Sequence, residues 1–174
     1  MKALIVVDLQ NDFLLGGALA VKDGNAIIPI IERLLHVPFD LKVASKDWHP
    51  HDHGSFAPIH GKNPGEHVIL QGIDQILWPV HCVQGTHGAD FGPNWDNRQI
   101  QKIIYKGTDK NIDSYSTFFD NEHLKATGLH EYLKERGIKD LYLAGLTTDY
   151  CIKFSVLDAI GLGDRKSTRL NSSH

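Results

Sequence analysis

Apolar residues fall along the chain in short strand-like runs that alternate with segments of helical spacing. Residues 2–7 (KALIVV) are apolar after the initial lysine, which is typical of a strand covered on both faces. Further strands are predicted at 40–45, 101–105 and 141–144, and helices at 24–36, 121–136 and 152–160. Because strands and helices alternate, we predict an α/β fold: a doubly wound, mostly parallel sheet with helices on both faces.

The pattern extends to residue 163 without an internal repeat or a linker, which predicts one domain over residues 1–163. Residues 164–174 (DRKSTRLNSSH) abandon it. We expect this segment to be a non-native tail, because it can be written codon by codon as the translation of a common sequencing adapter. The alternative is a solvated native C-terminus.

Composition excludes several classes of function. The 174-residue chain has a net charge of −3, which gives no electrostatic reason to expect nucleic acid or an anionic membrane as partner. No apolar run approaches the roughly 20 residues of a membrane span. With only two cysteines, a disulfide framework is not expected, and we predict a cytoplasmic location.

Histidine is concentrated in one irregular segment. Seven of the 11 histidines lie between residues 49 and 87, within a stretch (46–97) that is rich in glycine and proline and has little periodicity. An irregular segment of that length in a compact domain is usually functional. Asp47 and His49 project to the same side of an extended chain, and His53 and His81 follow. This set suits one divalent ion, Zn²⁺, Fe²⁺ or Mn²⁺, against the alternative of a polar loop with solvated histidines.

A cysteine follows the last predicted strand in LYLAGLTTDYC and precedes a helix. Cys151 is therefore expected at a helix N-terminus, where unpaired N–H groups favour a thiolate; the alternative is a buried structural cysteine. Asp8 and Lys106 end two other predicted strands. The carboxyl ends of parallel strands share one edge of the sheet, so these three residues would supply a proton acceptor, a cation and a nucleophile.

Five segments resemble those of the nicotinamidase/pyrazinamidase family, within the cysteine-hydrolase (isochorismatase-like) superfamily. In order, they are VVDLQNDF, KDWHPHDHGSF, WPVHCVQGTHGADF, IIYKGTD and LAGLTTDYC, and the resemblance runs from about residue 2 to residue 163. It implies a catalytic triad of Asp8, Lys106 and Cys151. It also implies the metal ligands Asp47, His49 and His81, with His53 as a further ligand that varies within the family.

The resemblance carries further expectations about the site. The backbone N–H groups of Thr147 and Cys151 would form an oxyanion hole, with a cis peptide before Thr147. Phe13, Trp78 and Tyr115 would line a pocket for a flat ring, against the alternative of ordinary core aromatics. The final strand and helix of the family fold are expected to be missing after residue 163.

The activity implied is metal-dependent hydrolysis of nicotinamide, or of pyrazinamide-like amides, to the acid and ammonia through a Cys151 thioester, in NAD salvage. The small-molecule substrate would be the partner; the oligomeric state is left open. One alternative is a metal-free amidohydrolase for carbamoyl or ureido substrates in the same superfamily. Another is a truncated, inactive metal-binding chain.

Overall fold

The computed structural model describes residues 1–163 and 166–170, and its centre is a parallel sheet of five strands. The strand order is β5-β2-β1-β6-β7, and a separate hairpin pairs β3 with β4. The strands are β1 (Lys2–Val7), β2 (Leu41–Asp47), β3 (His67–Leu70), β4 (Ile73–Ile76), β5 (Lys102–Lys106), β6 (Asp140–Gly145) and β7 (Lys166–Leu170). The helices are α1 (Ile28–Leu35), α2 (Leu129–Glu135) and α3 (Lys153–Gly161). The predicted α/β class with a parallel sheet is confirmed.

The strand register brings the strand ends together. Val7 pairs with Gly145 across β1 and β6, and Asp47 pairs with Lys106 across β2 and β5. The polar residues at these ends therefore meet at one edge of the sheet, as parallel strands require.

Apolar side chains cover both faces of the sheet. On one face, Leu129 and Leu133 of α2 and Ala159 of α3 pack on the strands. On the other face, Ile31 and Leu35 of α1 pack against alternate residues of the same strands. Because successive strand residues point to opposite faces, β1 is buried on both sides, and its continuous apolar sequence reflects this.

Two of the predicted helices differ from the structure in their extent. The segment predicted as helix 24–36 begins with a 3₁₀ turn, Gly24–Ile27, before α1. The helix predicted at 121–136 is confined to α2, because the preceding residues form turns. The Asp120 carboxylate accepts from Leu124 N–H at 2.8 Å, and Gly128 adopts a left-handed φ of 84° immediately before α2. Local side-chain acceptors of this kind compete with helix formation.

The segment at 46–97 is more regular than its sequence indicates. It contains the β3–β4 hairpin, in which Val68 pairs with Gln75, and the 3₁₀ turns Ala57–His60 and His87–Ala89. The two strands have four residues each, too short to give a detectable alternation.

The C-terminal segment contains a strand that the sequence pattern did not predict. Residues 166–170 form β7, which pairs in parallel with β6 from Asp140↔Lys166 to Ala144↔Leu170. The polar sequence of this segment gives no strand signal, so β7 is an addition to the predicted elements; the expected loss of the family's last strand and helix stays a prediction. Residues 164–165 and 171–174 lie outside the described part of the chain, and the non-native origin of 164–174 stays a prediction. No helix in the described ranges is long and apolar enough to cross a membrane.

Candidate active site

Three strand ends place Asp8, Lys106 and Cys151 in contact. Lys106 Nζ lies 2.9 Å from Asp8 Oδ2 and donates to Cys151 Sγ at 3.2 Å. It also pairs with Asp47 and donates to the Ser114 carbonyl at 3.1 Å. All three predicted residues are at most 4% exposed, and an oxygen of Asp8 lies within 4.8 Å of the Cys151 sulfur.

Burial and the shared lysine determine the charges in this group. Burial alone would lower the pKa of Lys106, but the Asp47 and Asp8 carboxylates raise it well above its ordinary value, so the lysine is an ammonium. Burial raises the pKa of Asp8, although Lys106 opposes this. Asp8 Oδ2 lies 2.9 Å from the Lys106 ammonium, so this proton acceptor is held beside the cation that also contacts the Cys151 sulfur.

The thiol differs from the expectation for a helix N-terminus. Burial, together with the carboxylates of Asp8 and Asp47, raises the pKa of Cys151 well above its ordinary value despite Lys106. Desolvation therefore outweighs both the adjacent cation and the easier ionisation expected at a helix N-terminus, so the proton of Cys151 has to be removed by a base. The resting group is a thiol beside a carboxylate.

The turn that carries Cys151 is strained at its start. Thr147 has φ 54° and ψ 56°, a left-handed conformation that is uncommon for a non-glycine residue. It precedes a π-helical turn, Thr148–Ile152, that leads into α3. No cis peptide occurs among the described residues, so the one expected before Thr147 is absent there. The left-handed conformation of Thr147 makes the sharp turn instead.

Asp47, His49 and His81 form a buried group with metal-ligand chemistry. Asp47 Oδ2 lies 3.6 Å from His49 Nε2 and 3.8 Å from His81 Nε2. Each histidine donates its other ring nitrogen to a backbone carbonyl: His49 Nδ1 to Gly107 at 2.9 Å and His81 Nδ1 to Pro79 at 2.7 Å. Because Nδ1 of each ring donates to a carbonyl, Nε2 is the nitrogen that each histidine directs towards the Asp47 carboxylate, the arrangement found in histidines that bind metals.

His53 lies beside this group and has an unsatisfied nitrogen. Its ring centroid is 4.3 Å from that of His49, and Nδ1 lies 2.8 Å from the Ser55 hydroxyl. Nε2 is buried and has no hydrogen-bond partner among the described residues. Burial, aided by His49, lowers the pKa of His53 to about 4, so the ring is neutral at pH 7. A buried, neutral, unpartnered imidazole nitrogen fits a place next to a divalent ion.

The coordination chemistry of these residues therefore fits the divalent metal expected from the sequence. His53 shares a second possible ligand group with His49 and Asp113, not with Asp47. The structure places Asp47, His49 and His81 around one point and His53 at its margin.

A cavity of about 310 Å³ opens onto the Cys151 sulfur. Its lining includes Phe13, Trp78 and Tyr115, the three predicted ring-pocket residues, together with Asp47, His81 and Cys151. The volume is at the lower end of the roughly 300–1,000 Å³ typical of small-molecule sites. Aromatic walls, the metal-ligand group and the thiol thus border the same space. Four predicted site residues do not line this cavity but contact residues that do or lie next to such contacts. They are Asp8, Lys106, His49 and His53.

Several supporting residues escaped the sequence analysis. The Gln10 side chain accepts from Asp47 N–H at 2.8 Å and donates to the Asp47 carbonyl at 2.8 Å. The Ser45 hydroxyl donates to Asp8 Oδ1 at 2.7 Å. Asp113 and Tyr150 line the cavity. Only Gln10 and Tyr150 carried a sequence signal, because they lie within the recognised segments VVDLQNDF and LAGLTTDYC.

Comparison with known proteins agrees with this geometry. The family described as Isochorismatase domain matches residues 2–165. The nicotinamidase of Escherichia coli (strain K12) is 45% identical over 165 residues, covering 93% of this chain and 78% of that protein. A solved Acinetobacter baumannii nicotinamidase/pyrazinamidase has a TM-score of 0.90 at 46% identity, covering 98% of this chain and 86% of that one.

A pyrazinamidase of Pyrococcus horikoshii, solved in complex with zinc, has a TM-score of 0.73 at 36% identity, covering 93% of this chain and 79% of that one. Family match, identity and fold all extend over nearly the whole chain, and they agree with the motifs from which the resemblance was first drawn. The chain belongs to the nicotinamidase/pyrazinamidase family of isochorismatase-domain hydrolases.

Proposed function

We propose that this chain hydrolyses nicotinamide to nicotinate and ammonia through a thioester on Cys151. The observation that carries the proposal is the contact of one buried ammonium, Lys106, with both the Asp8 carboxylate at 2.9 Å and the Cys151 sulfur at 3.2 Å. A base, a cation and a nucleophile held together below an aromatic cavity are the components of acyl transfer.

Asp8 is the base of the first step. Its carboxylate takes the Cys151 proton as the sulfur attacks the carboxamide carbon, so a C–S bond forms while the carbonyl π electrons move to oxygen. Lys106 stabilises the negative charge that develops on sulfur. Because the resting thiol has a raised pKa, proton transfer accompanies attack, and no free thiolate accumulates.

The next steps return the proton and release the acyl group. The C–N bond breaks as Asp8 gives its proton to nitrogen, and ammonia leaves a nicotinoyl thioester on Cys151. A water molecule then loses a proton to the same carboxylate and attacks the thioester carbon. The C–S bond breaks, Asp8 returns its proton to sulfur, and the acid releases its remaining proton to solvent and departs as nicotinate. We assign the backbone N–H groups of Thr147 and Cys151 as the donors that stabilise the oxyanion, both when the thioester forms and when it is hydrolysed. Donors held in fixed positions stabilise such a developing charge strongly.

Asp47, His49 and His81 are proposed to hold one divalent ion, zinc, iron or manganese, with His53 as a further ligand. When bound, the ion supplies a Lewis acid that orients a pyridine nitrogen. The zinc in the Pyrococcus horikoshii relative supports a metal of this type. Phe13, Trp78 and Tyr115 are proposed to hold the flat ring. The metal-free carbamoyl or ureido alternative is not favoured, because it leaves the buried histidine group without a role.

We place the reaction in the cytoplasm, where a reducing environment keeps a thiol nucleophile free; both cysteines are unpaired. The substrate class also extends to pyrazinamide-like amides, since these keep a ring nitrogen and a carboxamide.

The test is ammonia release from nicotinamide by the purified chain with zinc, iron or manganese. Wild type and Cys82→Ala should turn over, whereas Cys151→Ala should be inactive and still bind metal. Cys82 is the matched control, because it is also buried and free. Full activity of Cys151→Ala, or no activity of wild type with any of the three metals, would overturn the proposal.

A further inference from the structure

Tyr115 separates the catalytic cavity from a second cavity. The first, of about 310 Å³, contains Cys151 in its wall. The second, of about 190 Å³, lies on the other side and is lined by Ile73, Phe154 and several polar side chains. Tyr115 borders both spaces. Among the described residues that line these two cavities, it is the one that they share.

Two donors hold the Tyr115 hydroxyl in place. Trp78 Nε1 donates to it at 3.3 Å and Gln75 Nε2 donates to it at 3.1 Å. An indole nitrogen is only a donor, so the phenol oxygen must be the acceptor in that bond. The ring also meets Tyr150 edge-on, with centroids 5.2 Å apart, and Phe154 at 5.5 Å. The phenol is thus fixed at its tip by hydrogen bonds and along its sides by aromatic contacts.

Of the two residues that donate to the Tyr115 hydroxyl, Trp78 lines the catalytic cavity and Gln75 does not. It lies on β4 of the short hairpin, is 2% exposed, and also donates to the Ile76 carbonyl at 2.6 Å. The same amide nitrogen lies 3.4 Å from the Asp113 carboxylate. A buried side-chain amide needs such partners, and its placement fixes the hydroxyl that it contacts.

We propose that Gln75 is a positioning residue which, through Tyr115, restricts this enzyme to single-ring carboxamides. The inference rests on the proposed function. With the Tyr115 ring in place, the aromatic cavity ends at its face. When the ring is removed or released, the second cavity joins the first and the combined space admits a fused second ring.

The experiment compares kcat/KM for nicotinamide with that for two bicyclic amides. These are quinoline-3-carboxamide and isoquinoline-4-carboxamide, in which the second ring is fused to different edges of the same pyridine carboxamide. Wild type should strongly prefer nicotinamide. Tyr115→Ala should shift the ratio towards at least one bicyclic amide by about tenfold or more, the size expected when a pocket gains room for additional apolar atoms. Gln75→Ala should shift it in the same direction by a smaller factor.

A double-mutant cycle separates positioning from general damage. Tyr115→Phe keeps the ring and removes the hydroxyl, so Gln75→Ala should add little to the ratio in that background, whereas independent effects would multiply. Ile69→Ala is the control on the same hairpin, since Ile69 is 71% exposed and borders neither cavity. It should leave the ratio unchanged. If Tyr115→Ala does not fold, the comparison of Gln75→Ala, Tyr115→Phe and the double variant still tests the proposal.

Three outcomes would overturn the inference. The first is a folded Gln75→Ala variant whose ratio of kcat/KM for the bicyclic amides to that for nicotinamide is unchanged. The second is that the effects of Gln75→Ala and Tyr115→Phe on this ratio multiply. The third is that Ile69→Ala shifts the ratio as much as Gln75→Ala does. If any of these outcomes is found and wild type still hydrolyses nicotinamide, only the positioning role of Gln75 is refuted. Wild type that fails on nicotinamide would refute the proposed function, and the inference with it.

Discussion

Lys106 Nζ lies 2.9 Å from Asp8 Oδ2, and both side chains are completely shielded from solvent. The same ammonium pairs with Asp47, so one cation neutralises part of the charge of two buried carboxylates. A buried charge that loses its partner is strongly destabilising. Lys106 therefore links the proposed base, Asp8, the proposed metal ligand, Asp47, and the proposed nucleophile, Cys151.

Lys106→Met should remove both activity and stability. Without the ammonium, Asp8 and Asp47 are left unpaired, so we expect a loss of about 3–5 kcal/mol in the free energy of unfolding. Ammonia release should fall by about 10²-fold or more, as for other lost electrostatic groups in acyl transfer. Urea denaturation and initial rates measure the two effects. Lys102→Met on the exposed side of β5 is the control. Near wild-type rates in Lys106→Met would contradict the proposed role.

Ser45→Ala should move the acidic limb of the pH profile to higher pH. Asp8 must be ionised to accept the thiol proton, so kcat/KM rises as pH passes the pKa of Asp8. Burial raises that pKa, whereas the Ser45 hydroxyl lowers it by bonding to the charged form. Loss of the hydroxyl raises the pKa further, so activity is lost on the acidic side and retained above the limb. A profile that is unchanged, or shifted to lower pH, would refute Asp8 as the base.

Gly107→Ala should lower zinc affinity, in addition to the loss of stability that any left-handed glycine replacement causes. Gly107 has φ 62°, its carbonyl accepts from His49 Nδ1, and an added methyl would overlap the His49 ring. Gly128→Ala is the matched control, because Gly128 has φ 84° with open space around the added methyl. Both changes carry a left-handed penalty of about 1–2 kcal/mol. Only Gly107→Ala should also lose about 10–100-fold in zinc affinity, measured by competition titration. Equal zinc affinities would contradict this assignment.

His53→Ala should weaken zinc binding less than His49→Ala does. His49 lies within the group around Asp47, whereas His53 is at its margin, and its Nε2 has no hydrogen-bond partner in the part of the chain that the structure describes. We expect about a tenfold loss for His53→Ala, the scale of a supporting contact, and a larger loss for His49→Ala. His51→Ala, an exposed neighbour, should bind as wild type. If His53→Ala binds zinc as tightly as wild type does, His53 is not a ligand.

The sheet and the grouping of Asp8, Lys106 and Cys151 could be inferred from the sequence because their signals are local, whereas the ring-pocket and oxyanion-hole residues were expected only from the family resemblance. Apolar runs mark β1 and β6, and parallel pairing then brings the residues after their ends to one edge. Asp8, Lys106 and Cys151 each lie at or shortly after a strand end, so their meeting required only the topology.

The remaining features depend on contacts that have no local pattern. The Gln75 side chain donates to the Tyr115 hydroxyl, 40 residues further along the sequence. Gln75 lies on a four-residue strand, which is too short to show an alternation of apolar and polar residues. The missing first half of the predicted helix at 121–136 reflects side-chain acceptors such as Asp120, which compete with helix hydrogen bonds. The raised thiol pKa of Cys151 reflects burial, which a helix N-terminus in the sequence does not reveal.

The most direct test of the central claim is rapid acid quench during turnover of nicotinamide, followed by peptide mass spectrometry. The account predicts a nicotinoyl group on the peptide that contains Cys151, formed together with the first equivalent of ammonia and lost as nicotinate appears. Cys82 should remain unmodified, and Cys151→Ala should carry no adduct and release no ammonia. Turnover by wild type with no acyl group on Cys151 under conditions that preserve a synthetic thioester standard, or turnover by Cys151→Ala, would contradict it.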